Sequence, residues 1–74
     1  DSSVVPLSTV RNYLNKSSAA GYEITVDGET ITSSEDLSEY NDNTLFKMSK
    51  TYDEYGKITE IVFVLKNQSF AQAG

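Results

Sequence analysis

The stretch YDEYGKITEIVFVLK, residues 52 to 66, decides the fold, because it begins with turn residues and ends in the most apolar run of the chain. Asp53 opens the turn, Gly56 suits a backbone with a positive φ angle, and Lys57 starts the strand that follows. The residues before the turn alternate between apolar and polar side chains, as a half-buried strand does. This stretch is therefore predicted to be the centre of a β-hairpin.

The second strand of this hairpin is apolar on both faces. Ile61, Phe63 and Leu65 point to one face, and Val62 and Val64 point to the other. We expect the first set to lie in the core. A sheet covered on one side only would expose Val62 and Val64, so the strand is predicted to be interior or covered, and these two valines form a candidate apolar interface.

Two interpretations of the Val62 and Val64 face remain open from the sequence. The face packs against another molecule, which would make a dimer plausible for so small a domain. Alternatively, Leu7, Tyr40 or the N-terminal residues 4 and 5 of the same chain cover it.

Residues 52 to 59, YDEYGKIT, resemble the YD-dipeptide repeat of bacterial RHS-type surface and toxin proteins, roughly YD-x-x-G-[KR]-[ILV]-T. Those families carry many copies in tandem, whereas this chain contains a single copy. We therefore interpret these residues as hairpin-forming sequence and assign the chain to no family.

One helix is predicted near the start of the chain. Leu7, Val10 and Leu14 recur at helical spacing and form a single apolar stripe. Pro6 suits the first turn of a helix, where its missing N–H is no loss. Gly21 suits the residue that ends a helix, because it adopts a left-handed backbone without strain.

A first hairpin is predicted after this helix. Residues 22 to 26 alternate in polarity, and residues 29 to 32 follow after Asp27 and Gly28. Asp-Gly is a preferred pair for a two-residue hairpin turn, in which both central residues need a positive φ angle. The second strand has Ile31 as its one firm apolar residue, so it is expected at the edge of the sheet.

These elements predict an α+β fold, with one N-terminal helix packed on a roughly four-stranded antiparallel sheet built from two hairpins. A short helical turn within residues 33 to 43 joins the hairpins. The predicted core consists of Leu7, Val10, Leu14, Tyr22, Ile24, Val26, Leu37, Phe46, Met48, Ile61, Phe63 and Leu65.

The length of 74 residues predicts one small domain, without cysteine for a disulfide bond. Because the sequence begins at Asp1 rather than Met, we expect a domain processed or excised from a longer chain, with residues 68 to 74 as a flexible tail. No apolar run approaches the roughly 20 residues that a membrane span needs. Localisation is not determined by these features, although a secreted, surface or virion setting fits them slightly better than the cytoplasm.

The net charge of −5 is concentrated in the middle of the chain, where residues 17 to 44 include acidic residues but no basic residue. An acidic surface repels phosphate backbones, so nucleic-acid binding is not expected. Such a surface would attract a basic partner. A candidate acidic interface therefore consists of Glu35, Asp36, Glu39 and Asp42.

The composition also argues against catalysis. The chain has no His and no Cys. It therefore lacks His, the commonest general base, and it lacks two residue types that often act as nucleophiles or metal ligands. No acidic stretch matches a calcium-binding loop. We therefore predict no enzymatic activity, no cofactor and no metal site.

The preferred hypothesis is a non-catalytic structural or protein-interaction domain of a bacterial surface or phage-type assembly. Its partner would be another protein or a second copy of the same chain. The alternative hypothesis is a small acidic inhibitor or antagonist that docks residues 23 to 42 onto a basic site of a partner protein.

Overall fold

A computed structural model describes residues 3 to 67, which form one α-helix on a five-stranded, mostly antiparallel sheet. The predicted α+β fold is therefore confirmed. The predicted tail, residues 68 to 74, lies outside the described residues. The elements in chain order are β1 Ser3–Pro6, α1 Leu7–Ala20, β2 Glu23–Val26, β3 Glu29–Ile31, a 3₁₀ turn Ser34–Leu37, β4 Leu45–Tyr52 and β5 Ile58–Asn67.

The strands are arranged in the order β1-β4-β5-β2-β3. The strand β5 is therefore interior and β3 lies at an edge, as predicted. The two hairpins meet through β2 and β5, which run parallel to each other, while every other pair is antiparallel. The predicted antiparallel sheet is confirmed, with this one parallel pair. The pair forms because the segment between β3 and β4, which includes the turn Ser34–Leu37, carries the chain back along the sheet before β4 begins.

The fifth strand, β1, precedes the helix and pairs with β4. Val4 lies opposite Lys47, and Val5 lies opposite Phe46. From the sequence, Pro6 was expected in the first turn of the helix. Pro6 is extended instead, with φ −82° and ψ 171°, and occupies the N-cap position without a side-chain capping bond. β-Branched residues before a proline favour this extended backbone, so the helix begins one residue after the proline.

The helix α1 buries the predicted stripe. Leu7, Val10 and Leu14 are buried against the sheet. The helix ends at Gly21, whose φ angle is 85° and whose N–H donates to the carbonyl of Ser17 at 2.7 Å. The predicted role of Gly21 as the terminating residue is therefore confirmed.

Both hairpin turns use the predicted residues. Asp27 and Gly28 have φ angles of 51° and 86°, as a two-residue turn of this type requires. In the second turn, the Asp53 carboxylate accepts hydrogen bonds from the N–H groups of Tyr55 at 2.8 Å and Lys57 at 3.0 Å. These bonds lower the pKa of Asp53, with the bond from Lys57 as the largest cause.

The core lies between α1 and one face of the sheet. Within it, the rings of Phe46 and Phe63 meet edge to face, with centroids 6.3 Å apart. Tyr22, Met48 and Leu65, also predicted for the core, are only partly buried against it. The buried apolar residues are Leu7, Val10, Leu14, Ile24, Val26, Ile31, Leu37, Phe46, Ile61 and Phe63.

A bulge in β5 changes the face of one residue. Simple alternation places Ile58 on the same face as Val62. The pairing shifts between Thr51 and Tyr52, which leaves Thr59 as an extra residue. Ile58 consequently packs against the core, so its alternation-based placement is wrong.

Candidate interaction surface

The two faces of β5 differ in what covers them. Ile61 and Phe63 are completely buried beneath α1. Val62 is half-buried, and Val64 keeps 48% of its surface exposed. The core cluster of the described residues includes neither valine. The sheet is therefore covered on one side, and the candidate residues Val62 and Val64 lie together on the other side.

None of the three segments proposed to cover these valines does so. Leu7 is fully buried in the core, on the far side of the sheet. Tyr40 packs there as well, with its ring centroid 5.3 Å from that of Phe46. The N-terminal segment joins the sheet as β1, so Val4 extends the exposed valine surface and remains 48% exposed itself.

We call this surface the open face. It is built mainly from short side chains, because Ser and Thr residues surround the valines. Ser49 and Thr25 flank Val62 on the two neighbouring strands, and Lys47 stands between Val4 and Val64. In register, the open face consists of Val4, Glu23, Thr25, Thr30, Lys47, Ser49, Thr51, Glu60, Val62 and Val64.

The charges on the open face are separated along the strands. Lys47 lies level with Val64 at one end, whereas Glu60 and Glu23 are paired across β5 and β2 at the other. The four residue steps from Val64 to Glu60 span about 13 Å at the usual strand rise. The hydroxyl of Thr25 contacts the carboxylate of Glu60 at 3.4 Å, which holds that carboxylate on the open face.

Within residues 3 to 67, no salt bridge involves these charged groups. The one ion pair found there joins Arg11 and Asp42 at 3.7 Å, on the solvent-exposed surface. Lys47, Glu23 and Glu60 therefore have no oppositely charged side chain in direct contact among the described residues. Their charges are available to a partner.

The residues of the candidate acidic interface have different roles. The Asp36 carboxylate accepts the N–H groups of Thr32 and Ser33, both at 3.3 Å, and thereby caps the 3₁₀ turn. Asp42 pairs with Arg11. Glu35 is exposed in the first turn of the 3₁₀ element, where its charge interacts favourably with the backbone dipoles.

A different set of carboxylates influences Tyr40. The pKa of Tyr40 is raised, first by burial and then by the carboxylates of Asp27, Glu39 and Glu29. Asp27 and Glu29 were not among the predicted interface residues, because they belong to the hairpin β2–β3 and reach this site only through the fold. In the described part of the chain, no three acidic side chains form a group that could hold a metal ion.

A shallow depression of about 220 Å³ lies between the end of α1 and the β2–β3 hairpin. Ser17, Tyr22 and Glu23 are among its lining residues. The Tyr22 hydroxyl donates to the carbonyl of Tyr13 at 2.8 Å, and burial raises its pKa. Glu23 is the single carboxylate in the lining, so the depression does not bring together the two carboxylates that acid–base hydrolysis requires.

A second exposed apolar feature is the tip of the β4–β5 hairpin, where Tyr52 and Tyr55 are largely exposed. It is separate from the open face.

Comparison of the chain with protein-family models, curated proteins and solved structures finds no match in any of the three. Among residues 3 to 67, no helix combines the length and apolar character needed to cross a membrane. The open face is therefore interpreted from its own chemistry.

Proposed function

We propose that this protein is a non-catalytic interaction domain that binds another protein through the open face. The observation that carries the proposal is the exposure of Val4 and Val64, beside the half-buried Val62, on one surface of the sheet, away from the core. Single exposed apolar residues are normal, but several that share a sheet face mark a candidate contact site.

The shape of the open face favours a flat protein partner. Ser49 and Thr25 beside Val62 are short, so a second surface can approach the sheet closely. Face-to-face sheets pack about 10 Å apart, which leaves room for one interdigitated layer of such side chains. Burying the exposed part of a valine contributes about 1 kcal/mol, so this surface suits a modest interaction rather than a permanent one.

The setting that we propose is a larger bacterial surface or phage-type assembly. It is supported by the hairpin-rich architecture of the described residues. The absence of His and Cys from the chain supports a binding role over a catalytic one.

Site-specific photo-crosslinking tests this function. A benzoylphenylalanine at position 64 reports contacts on the open face, and the same residue at position 16, exposed on α1, is the matched control. We expect a defined adduct from position 64 but not from position 16, either with the purified protein alone or after addition of extract from the source cells. The adduct should disappear when Val62→Lys is added. Equal labelling from both positions, or none from either, would contradict the proposal.

The acidic alternative has less structural support. Asp36 and Asp42 already have intramolecular partners, so an inhibitor would rely on Glu35 and Glu39. Charge reversal at these two residues would then weaken binding strongly, and added salt would weaken it as well. A crosslinked partner whose binding ignores both changes would exclude this alternative.

A further inference from the structure

We propose that the partner on the open face is a second copy of this chain, stacked face to face and turned end for end. This inference rests on the proposed function and names the partner of the same surface. It follows from the charge pattern of the face, from its symmetry and from the shortness of the sheet edges.

The open face carries little of the net negative charge of the molecule. It has two acidic groups, Glu23 and Glu60, at one end and one basic group, Lys47, near the other. The open face therefore contributes one negative charge to the net charge of −5, and the rest lies elsewhere on the chain. A second copy of this acidic protein can therefore approach this face while meeting little of the negative charge.

The order of these charges makes the face complementary to itself. Along the strands it reads Glu60, then Val62, then Val64 with Lys47 beside it, that is, acid, two valines and base. A two-fold axis across the strands lays the valines of one copy over those of the other. The same rotation brings the Glu60 end of each copy to the Lys47 end of its partner, as a closed dimer with one shared patch requires.

The sheet edges are less suited to self-association. The edge strand β3 spans only Glu29–Ile31, and its charged first residue discourages strand addition. At the opposite edge, β1 ends at Pro6, which lacks the N–H that continued pairing needs. Stacking on the open face buries the three valines, whereas strand addition at either edge would leave them uncovered.

Charge exchange between Lys47 and Glu60 tests this arrangement by sedimentation velocity from about 10 µM to 1 mM protein. A small interface of this kind is expected to give a dissociation constant on the order of 0.1 mM. Lys47→Glu makes the face wholly acidic at these positions, and Glu60→Lys makes it wholly basic. Each single variant should dimerise about tenfold more weakly than the wild type, because like charges then meet across the two-fold axis.

Two combinations complete the test. The double variant Lys47→Glu/Glu60→Lys reverses the polarity of both copies, so dimerisation should return to within about threefold of the wild type. A mixture of the two single variants should form a heterodimer, since an acidic face then meets a basic one. Circular dichroism of each variant checks that the fold is retained. Glu54→Lys, at the hairpin tip, is the control for a change of net charge alone.

The outcomes separate this inference from the proposed function. If the single substitutions weaken the dimer and both combinations restore it, the result supports a second copy of the chain as the partner. A wild type that stays monomeric at 1 mM, or single variants that dimerise as the wild type does, would overturn it. If position 64 then crosslinks specifically to a protein of another mass, the proposed function stands and the second copy is excluded. If position 64 forms no adduct either, both the proposed function and the inference of a second copy fail.

Discussion

At the scale of single residues, Asp27 joins the two hairpins. Its N–H donates to the carbonyl of Phe63 at 2.9 Å, and its carboxylate accepts the N–H of Leu65, also at 2.9 Å. The strand β2 turns away after Val26, so the carboxylate replaces the carbonyl that a longer β2 would offer to β5. One side chain therefore both permits the turn and extends the pairing of the central strand.

Substitutions at Asp27 should separate these two roles. Asp27→Ala loses the bond to Leu65 and also the short polar side chain that makes a left-handed backbone tolerable for a residue with a β-carbon, so we expect a loss of about 2–3 kcal/mol in the free energy of unfolding. Asp27→Gly removes the bond without the backbone strain and should cost about 1 kcal/mol. Asp27→Asn keeps an acceptor and should cost less than either. Urea denaturation at pH 7 measures all three, and equal stability of the Ala and Asn variants would contradict the assignment.

Asp53 gives the hairpin β4–β5 a dependence on pH. Hydrogen bonds from the N–H groups of Lys57 and Tyr55 lower its pKa below the ordinary value of about 3.8. The folded state therefore favours the carboxylate. The stability that its hydrogen bonds contribute is present above about pH 3.8 and is lost as the pH falls through the lowered pKa.

Carbon-13 NMR of the Asp53 carboxyl group should show a titration midpoint below 3.8. Asp53→Asn should reduce stability at pH 6, and its effect should become smaller as the pH falls below 3.8, because protonation progressively removes the charged acceptor. Glu54→Gln removes the same charge from the adjacent residue and serves as the control. A midpoint at or above the ordinary value would show that the turn does not stabilise the carboxylate.

At the scale of elements, the sequence predicted what local chemistry determines and missed what depends on partners distant in the chain. Gly21 and the Asp27-Gly28 turn adopt the expected positive φ angles, since short-range sterics decide them. Val4 and Val5 became a strand because β4 was available beside them, and no local pattern reveals that pairing. The bulge near Thr59 likewise appears only once β4 and β5 are aligned.

Because β1 is part of the sheet, its two valines should respond differently to the same substitution. Val5 packs against the core, whereas Val4 is on the open face. We expect Val5→Lys to lower the free energy of unfolding by about 1–2 kcal/mol, since it brings a charge into partly buried apolar surroundings. Val4→Lys should change it by less than about 0.5 kcal/mol.

Guanidinium denaturation of both lysine variants at dilute protein, where self-association is negligible, compares them directly. Equal losses would indicate that β1 does not hold its register against β4. A loss confined to Val4→Lys would place the wrong valine against the core.

At the scale of the whole molecule, the two faces of the sheet have different roles. This difference explains why only part of the candidate site could be predicted from the sequence. The run from Ile61 to Leu65 showed that β5 has two apolar faces, and the fold shows that one helix covers one of them. Val62 and Val64 could be nominated from the sequence. Lys47 and Val4 could not, because their place beside Val64 comes from β1, β4 and β5 lying side by side.

The acidic middle segment should make stability depend on salt. Asp27, Glu29 and Glu39 all raise the pKa of Tyr40, so we expect their like charges to repel one another. At pH 7, Glu29→Lys should therefore raise the free energy of unfolding by about 0.5 kcal/mol, or the Tm by about 2–4 °C, in 10 mM salt. Most of this gain should vanish in 0.5 M NaCl, where screening extends over only a few ångströms.

Glu54→Lys makes the same change in net charge at the hairpin tip and is the matched control for local repulsion. Thermal unfolding followed by circular dichroism compares the two variants at both salt concentrations. If Glu54→Lys raised the Tm as much as Glu29→Lys, the total charge of the molecule would be responsible. A larger gain for Glu29→Lys assigns the effect to the carboxylates that raise the pKa of Tyr40. Glu29 lies in register with Val26, on the other face of the sheet from the open face, so this negative charge does not stand on the stacking surface.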